Sequence, residues 1–528
     1  MRRTSSFRRL PRAIPVILIL ASAMGVLTPT SAPAGRLADD VSRFSSEAGD
    51  AVRQIEPLLA PADQITRQLP ADPQQAVIDR TAELSAALGF PQDPTLQFQT
   101  SNLPDEIAGR LAIVMQDLIA CNAITQQHFS ELRDRIEEIA TTGGGLDPAD
   151  FADIDACALR LWSSTTELEL AIPANGPSVC SLRTAGAFVD VWPVLRFDGL
   201  CVDDVYQNDY LLIVDLGGND TYMNNAGSNM VDVNFSPATS LVRGLRGVGP
   251  AKGCQRAIPG LAAGDCVPAV AALLDLNGND TFGVKQTPDH DSGCTADPLI
   301  RRMVTIGVGF LGVGILRDEG GSDRYTGKTV SIGAGHIFGV GVLSDGNGND
   351  TYSAVRNSQG FALVGGVGIL NDKEGNDDYG FYMPSPLNPL AKNQEEGAGG
   401  VRDDEGEGLC DRVPRFTLGA ANVLPGTLAL FVDDSGGDSY HGAFAGEFIA
   451  PAQVPSTKAG SLGFGNNQGI GIFVDRGATS IADTYLVDNE PGCARNKLEF
   501  STRDNGVVLP PGIECTGDGG GAGLFIDQ

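Results

Sequence analysis

Two consecutive segments decide how this chain reads: Arg324–Asp350, RYTGKTVSIGAGHIFGVGVLSDGNGND, and Thr351–Asp377, TYSAVRNSQGFALVGGVGILNDKEGND. Each has 27 residues and they align without a gap. Tyr325 matches Tyr352, Ser331 matches Ser358 and Gly333 matches Gly360. Gly339-Val340-Gly341 matches Gly366-Val367-Gly368, Leu343 matches Leu370, and Asp345 matches Asp372. Both close on Gly-Asn-Asp, at Asp350 and Asp377. A fixed period with a repeated turn signature marks a solenoid.

The signature, aliphatic-x-Asp-x-x-Gly-x-Asp-x-aromatic, recurs outward from this pair. Its aspartates are Asp215 and Asp220, Asp275 and Asp280, Asp318 and Asp323, Asp345 and Asp350, Asp372 and Asp377, and Asp433 and Asp438. A seventh copy has extra residues between Asp475 and Asp483, and LFID at Asp527 begins an eighth. First-aspartate spacings are 60, 43, 27, 27, 61, 42 and 52, which leave inserts of 33, 16, 0, 0, 34, 15 and 25 beyond the unit of 27. A solenoid tolerates such loops, because each coil contacts only its neighbours and insertions collect on one face. Aliphatic residues alternating with glycine give short strands of period two. The expected fold is mainly β: a parallel β-helix of roughly 27-residue coils over residues 177–528, with loop inserts. Stacking would align each aspartate with its equivalent in the next coil, ~4.8 Å away. It would also put Tyr222, Phe282, Tyr325, Tyr352, Tyr379, Tyr440 and Tyr485 in one aromatic ladder, filling core.

Residues 35–176 instead carry helix periodicity and read as a small all-α bundle covering one end of the solenoid. One helix is expected through Val41, Phe44, Ala48, Val52 and Ile55, stopped by Pro57 and Pro61. A second opens at Asp72-Pro73, a third runs from about Pro104 to Ile139, and a fourth starts at Asp147-Pro148. Residues 1–34 have the form of a secretory signal: a basic stretch from Arg2 to Arg12, an apolar Ala13–Leu27 and a small-x-small site at Ala32-Pro33-Ala34. The expected location is therefore extracellular. No other stretch reads as the ~18 apolar residues a spanning helix needs, so no transmembrane segment is expected. Ten cysteines in an exported chain imply disulfides. Nearness in sequence pairs Cys121 with Cys157, Cys180 with Cys201, Cys254 with Cys266 and Cys493 with Cys515, leaving Cys294 for Cys410.

The net charge of −29 argues against nucleic acid and anionic membranes as partners. With four histidines and no G-x-S-x-G, H-E-x-x-H or phosphate-loop motif, no catalytic constellation stands out. The twelve aspartates of the six regular signatures are the candidate metal ligands. Two unit charges ~4.8 Å apart repel by roughly 3–4 kcal/mol at an effective dielectric near 20. Either a hard cation offsets a row of such pairs, or each aspartate is absorbed in an Asx-turn, with glycine supplying a positive-φ position.

The Gly-x-Asp-x-aromatic part of the signature, as in Gly348-Asn349-Asp350-Thr351-Tyr352, resembles the hemolysin-type (RTX) calcium-binding repeat GGxGxDxUx. The resemblance implies calcium (Ca2+) held by carboxylates and turn carbonyls between adjacent turns. The chain departs from that repeat in two ways: its first glycine is an aspartate in every copy, and its nine-residue period is replaced by 27 or more. The leading expectation is a secreted, calcium-stabilised structural, adhesion or surface-binding protein, with cell-surface glycans or matrix protein as partners. The alternative is an extracellular polysaccharide-acting β-helix enzyme, lyase or hydrolase.

Overall fold

The computed structural model describes residues 35–527 with breaks, the longest at 89–102, 173–186, 232–266, 284–304, 382–417, 442–462 and 502–521. The expected signal segment and the pairings Cys254–Cys266, Cys493–Cys515 and Cys294–Cys410 lie outside the described residues. So does His290. Cys201 is disulfide-bonded, and Cys180, its expected partner, also lies outside them.

Helices come first: α1 (Gly35–Ser42), α2 (Ser46–Ile55), α3 (Pro73–Ala87), α4 (Asp105–Leu132) and α5 (Ala152–Ala171). The single helix expected through Val41 and Ile55 is two helices, and the described part of α4 ends at Leu132, with 133–134 and 136–138 outside the described residues. Asp72 caps α3, its carboxylate accepting the Gln75 N–H at 3.1 Å, with Pro73 at the first helical position. The expected disulfide Cys121–Cys157 ties α4 to α5. Contrary to the sequence expectation, α4 is long and apolar enough by length and composition to cross a membrane. Here it packs between α3 and α5, with Val114, Met115 and Leu118 fully buried. Its Arg110 donates to Glu167 of α5 at 3.2 Å, and its Asp117 pairs with Arg67.

The rest is mainly β, in large parallel sheets. A ten-stranded sheet takes the strand before each signature: Leu195–Asp198, Leu212–Asp215, Ala271–Asp275, Val313–Asp318, Val340–Asp345, Val367–Asp372, Leu428–Asp433, Ile470–Asp475 and Ala522–Asp527, with Phe188–Val191 antiparallel at its edge. A nine-stranded sheet takes the strand carrying each aromatic, from Val205–Tyr206 through Thr351–Ala354 to Thr484–Val487, and ends on an antiparallel Leu498–Ser501. A five-stranded sheet runs from Gly309–Phe310 to Gly465–Asn466. Register follows the repeat: Val340 lies beside Val367, Leu343 beside Leu370 and Asp345 beside Asp372. The 34-residue insert does not disturb it, since Asp372 lies beside Asp433.

Two glycines show why the signature cannot vary. Gly333 has φ +69°, and a Cβ there would sit 2.1 Å from the Ile369 carbonyl oxygen of the next repeat. The positive φ expected of the turn glycines is found at Gly217 (+132°) and Gly436 (+153°), whereas Gly348 is not in that region. What requires glycine is close approach: a Cβ would lie 2.1 Å from the Gly321 carbonyl oxygen.

Arg317 joins the helices to the sheets. Its guanidinium is buried, stacks 4.6 Å over Trp162 of α5, donates to Thr166 at 2.7 Å and pairs with Glu169 and Glu319. Phe151 stacks on Phe338 with centroids 3.9 Å apart.

Candidate metal centre

Strand periodicity places the site. Leu316 and Asp318 are two residues apart, so they face the same side of the sheet, toward Tyr325. Every repeat does the same. The ring stack runs from Tyr206 through Tyr222, Phe282, Tyr325, Tyr352 and Tyr379 to Tyr440, with centroids 4.6–5.0 Å apart and planes within 9°. Tyr485 lies in register with Tyr440.

The aspartates form two rows beside this stack. Asp215, Asp275, Asp318, Asp345, Asp372 and Asp433 end adjacent strands in register. Asp220, Asp280, Asp323, Asp350, Asp377 and Asp438 precede the aromatic strands. All twelve are at most 2% exposed, so these are core aspartates rather than surface turn residues.

The rows are bonded differently. In the first, Oδ1 of Asp215 accepts the Gly217 N–H at 2.7 Å, an Asx-turn, and Asp275, Asp318 and Asp433 do likewise at 3.2–3.3 Å. In the second, each Oδ1 accepts the backbone N–H of the equivalent aspartate one repeat earlier. Asp220 N–H donates to Asp280, Asp280 to Asp323, Asp323 to Asp350, Asp350 to Asp377 and Asp377 to Asp438, at 2.5–2.7 Å. The Oδ2 atoms of Asp220, Asp280, Asp323, Asp350 and Asp377 have no hydrogen-bond partner, nor do Oδ1 of Asp345 and Asp372. A buried acceptor left unpaired costs about 1–3 kcal/mol, more when charged. Asx-turn chemistry therefore accounts for part of the first row and leaves the second row half-satisfied.

Tyrosine hydroxyls bridge the first row. Tyr325 reaches Asp318 at 2.9 Å and Asp345 at 2.6 Å; Tyr352 reaches Asp345 at 3.1 Å and Asp372 at 2.7 Å. Tyr379 reaches Asp372 at 2.8 Å and Asp433 at 2.9 Å, and Tyr440 reaches Asp433 at 3.0 Å. Those are seven contacts between oxygens, and four phenols supply four protons. The other three are hydrogen bonds only when a carboxyl group supplies the proton.

Burial pushes these acids upward: Asp220 and Asp377 to about 9, Asp323 to about 8, Asp350 to about 7 and Asp280 to about 6. Burial, then neighbouring aspartates, raises Asp275, Asp345 and Asp433 well above the carboxylate range. Among the described residues, none of the eleven from Asp215 to Asp433 pairs with a lysine or arginine; Lys373 goes to Glu319.

Eleven of the twelve form five triads: Asp220/Asp275/Asp280, Asp280/Asp318/Asp323, Asp323/Asp345/Asp350, Asp350/Asp372/Asp377 and Asp377/Asp433/Asp438. Asp215 stands outside them, its carboxylate taken by Tyr206 and Gly217. Within each triad the carboxylate oxygens lie within 4.8 Å of one another. Opposed ligands of a hard cation, each ~2.4 Å from it, are ~4.8 Å apart, so three such oxygens fit one coordination sphere. An all-oxygen donor set suits hard cations over zinc or copper.

The sequence signature missed an earlier copy. Asp198 lies beside Asp215, Tyr206 lies beside Tyr222, and Asp204 N–H donates to Asp220. Its signal was Phe197-Asp198 followed by Asp204-x-Tyr206, one residue longer than the regular spacing. Of the other residues considered, His336 lies beside Leu363, is buried on Phe310, and burial lowers it to about 4. It is a neutral core residue. His128 contacts Asp153 at 2.9 Å and lies near Phe151. Comparison with protein-family models, with curated proteins and with solved structures gives no match.

Proposed function

We propose that this chain is an exported parallel β-solenoid whose buried aspartate rows are filled by calcium, and that it serves outside the cell as a structural, adhesion or surface-binding protein. The observation that carries the reading is the run of five interlocking, buried aspartate triads. Five divalent ions would bring ten positive charges to eleven carboxylates, nearly neutral, where the bare rows would repel. Calcium supplies charge and accepts oxygen ligands in flexible geometry, whereas magnesium demands a tighter octahedron and gives up its water reluctantly. The signal-like segment supports export, and extracellular calcium fills even weak sites.

The test is thermal unfolding of full-length protein stripped with chelator, then supplied with calcium or magnesium. Each site filled at a hundredfold excess over its dissociation constant adds about 2.7 kcal/mol, so the midpoint should rise by well over ~10 °C with calcium and less with magnesium. An unmoved midpoint, together with no metal in the purified protein, would sink the calcium reading.

A further inference from the structure

One basic side chain stands where the sheet otherwise turns apolar residues toward the tyrosine stack. The inward row of the ten-stranded sheet reads Ile213, Leu273, Leu316, Leu343, Leu370, Phe431 and Phe473 in register, and its first member is Arg196. The Arg196 guanidinium lies 4.2 Å from the Phe188 ring centre and 5.4 Å from that of Tyr206, so its flat faces are covered by aromatic rings. Its edge meets carboxylates. Nη2 donates to Asp198 Oδ2 at 2.9 Å and lies 3.8 Å from Asp204 Oδ1, while Nη1 donates to Asp190 Oδ2 at 2.9 Å.

Asp198 and Asp204 are the earliest members of the two rows, the same first-row and second-row pair that makes up two of the three ligands in every triad. Asp198 is buried like its successors, and Asp204 is partly open. The four pairs from Asp275/Asp280 to Asp372/Asp377 have no lysine or arginine partner among the described residues, whereas this one has a guanidinium attached to the chain.

We propose that Arg196 is a built-in cation that closes the first end of the aspartate rows, holding the place an exchangeable ion would otherwise take at Asp198 and Asp204 and so limiting ion uptake to the five triads beyond. The proposal rests on the calcium reading. A guanidinium suits the end position because it is permanently charged and makes directed bonds to two carboxylates at once. It also cannot be lost to chelators, so the first repeat, beside the antiparallel Phe188–Val191 strand, stays closed whatever the ion supply.

Equilibrium dialysis against calcium counts ions per chain in wild type, Arg196→Lys and Arg196→Met. Arg196→Lys keeps the charge and should match wild type; Arg196→Met should bind one more calcium. If wild type takes up calcium and Arg196→Met takes up the same number, the proposal is overturned while the calcium reading stands. If neither protein takes up calcium, both fall. If Arg196→Met folds only with calcium present, the ion has replaced the guanidinium, as proposed. If it folds in neither condition but Arg196→Met/Asp198→Asn does, the position accepts no metal, and the proposal fails. Unfolding of both variants in both conditions makes Arg196 a packing residue, which also overturns it.

Discussion

Asp345 shows what the site asks of one side chain. It is fully buried, its Oδ2 takes the hydroxyls of Tyr325 and Tyr352, and its Oδ1 has no hydrogen-bond partner. Asp345→Asn keeps the shape and removes the charge. In chelator, at a pH high enough to ionise the rows, the variant should be more stable than wild type, by on the order of 1–3 kcal/mol, because an uncompensated buried carboxylate is gone. In saturating calcium the order should reverse, because a ligand is gone. Urea midpoints under the two conditions check the crossover; equal destabilisation in both would reduce Asp345 to a hydrogen-bonding role. The twelve aspartates were legible because the same letters recur at the same offsets. Their burial was less so, because Asp-Gly-Asn turns usually sit at the surface and the turn signal outweighed the two-residue step from Leu316 to Asp318. Arg196 was illegible for another reason: its role depends on register with Ile213, and its own repeat breaks the signature spacing by one residue.

At the scale of the element, the aspartate turn is set by how closely it meets its neighbour. Gly348→Ala would push a methyl into the Gly321 carbonyl oxygen, 2.1 Å away, and the backbone on both sides is held by ladder bonds. The loss expected is at least the 1–3 kcal/mol typical of overpacking. Asn349→Ala, one residue on at an exposed position, should cost less than about 1 kcal/mol, since it removes only surface bonds to Asn376. Thermal midpoints of the pair separate close approach from general loosening of the turn. Strands and helices were read from period two and period 3.6, and these survived in the structure. The misread boundary is the break between α1 and α2, where Phe44 continued the apolar pattern across it. α4 escaped notice as an apolar helix because its polar members are spread along it, and in the fold they pair inward with Arg67 and Glu167.

Over the whole molecule the rows act together on the response to pH. An unfolded aspartate titrates near 3.9, and burial holds the folded ones higher, from about 6 for Asp280 to about 9 for Asp220 and Asp377. A raised folded value favours the protonated native state. That contribution is complete below the unfolded value and is lost as pH rises through about 6 to 9. Metal-free protein should therefore melt at a lower temperature at pH ~9 than at pH ~5, the reverse of ordinary acid denaturation. Calcium should flatten or invert the trend, because protons and metal compete for the same oxygens. A melting temperature of chelated protein that climbs with pH would contradict this account. The helices meet the sheets through contacts that include Arg317 and the packing of Phe151 on Phe338.

The gap-free match between 324–350 and 351–377 also has a hereditary side. Because Val340–Asp345 and Val367–Asp372 lie side by side in unbroken register, the stretch of gene that encodes one unit also encodes one complete structural step. Copying or deleting that stretch in frame leaves the flanking steps able to meet. Each added step would bring its own tyrosine and its own two carboxylates, and under the calcium proposal ion capacity would follow copy number.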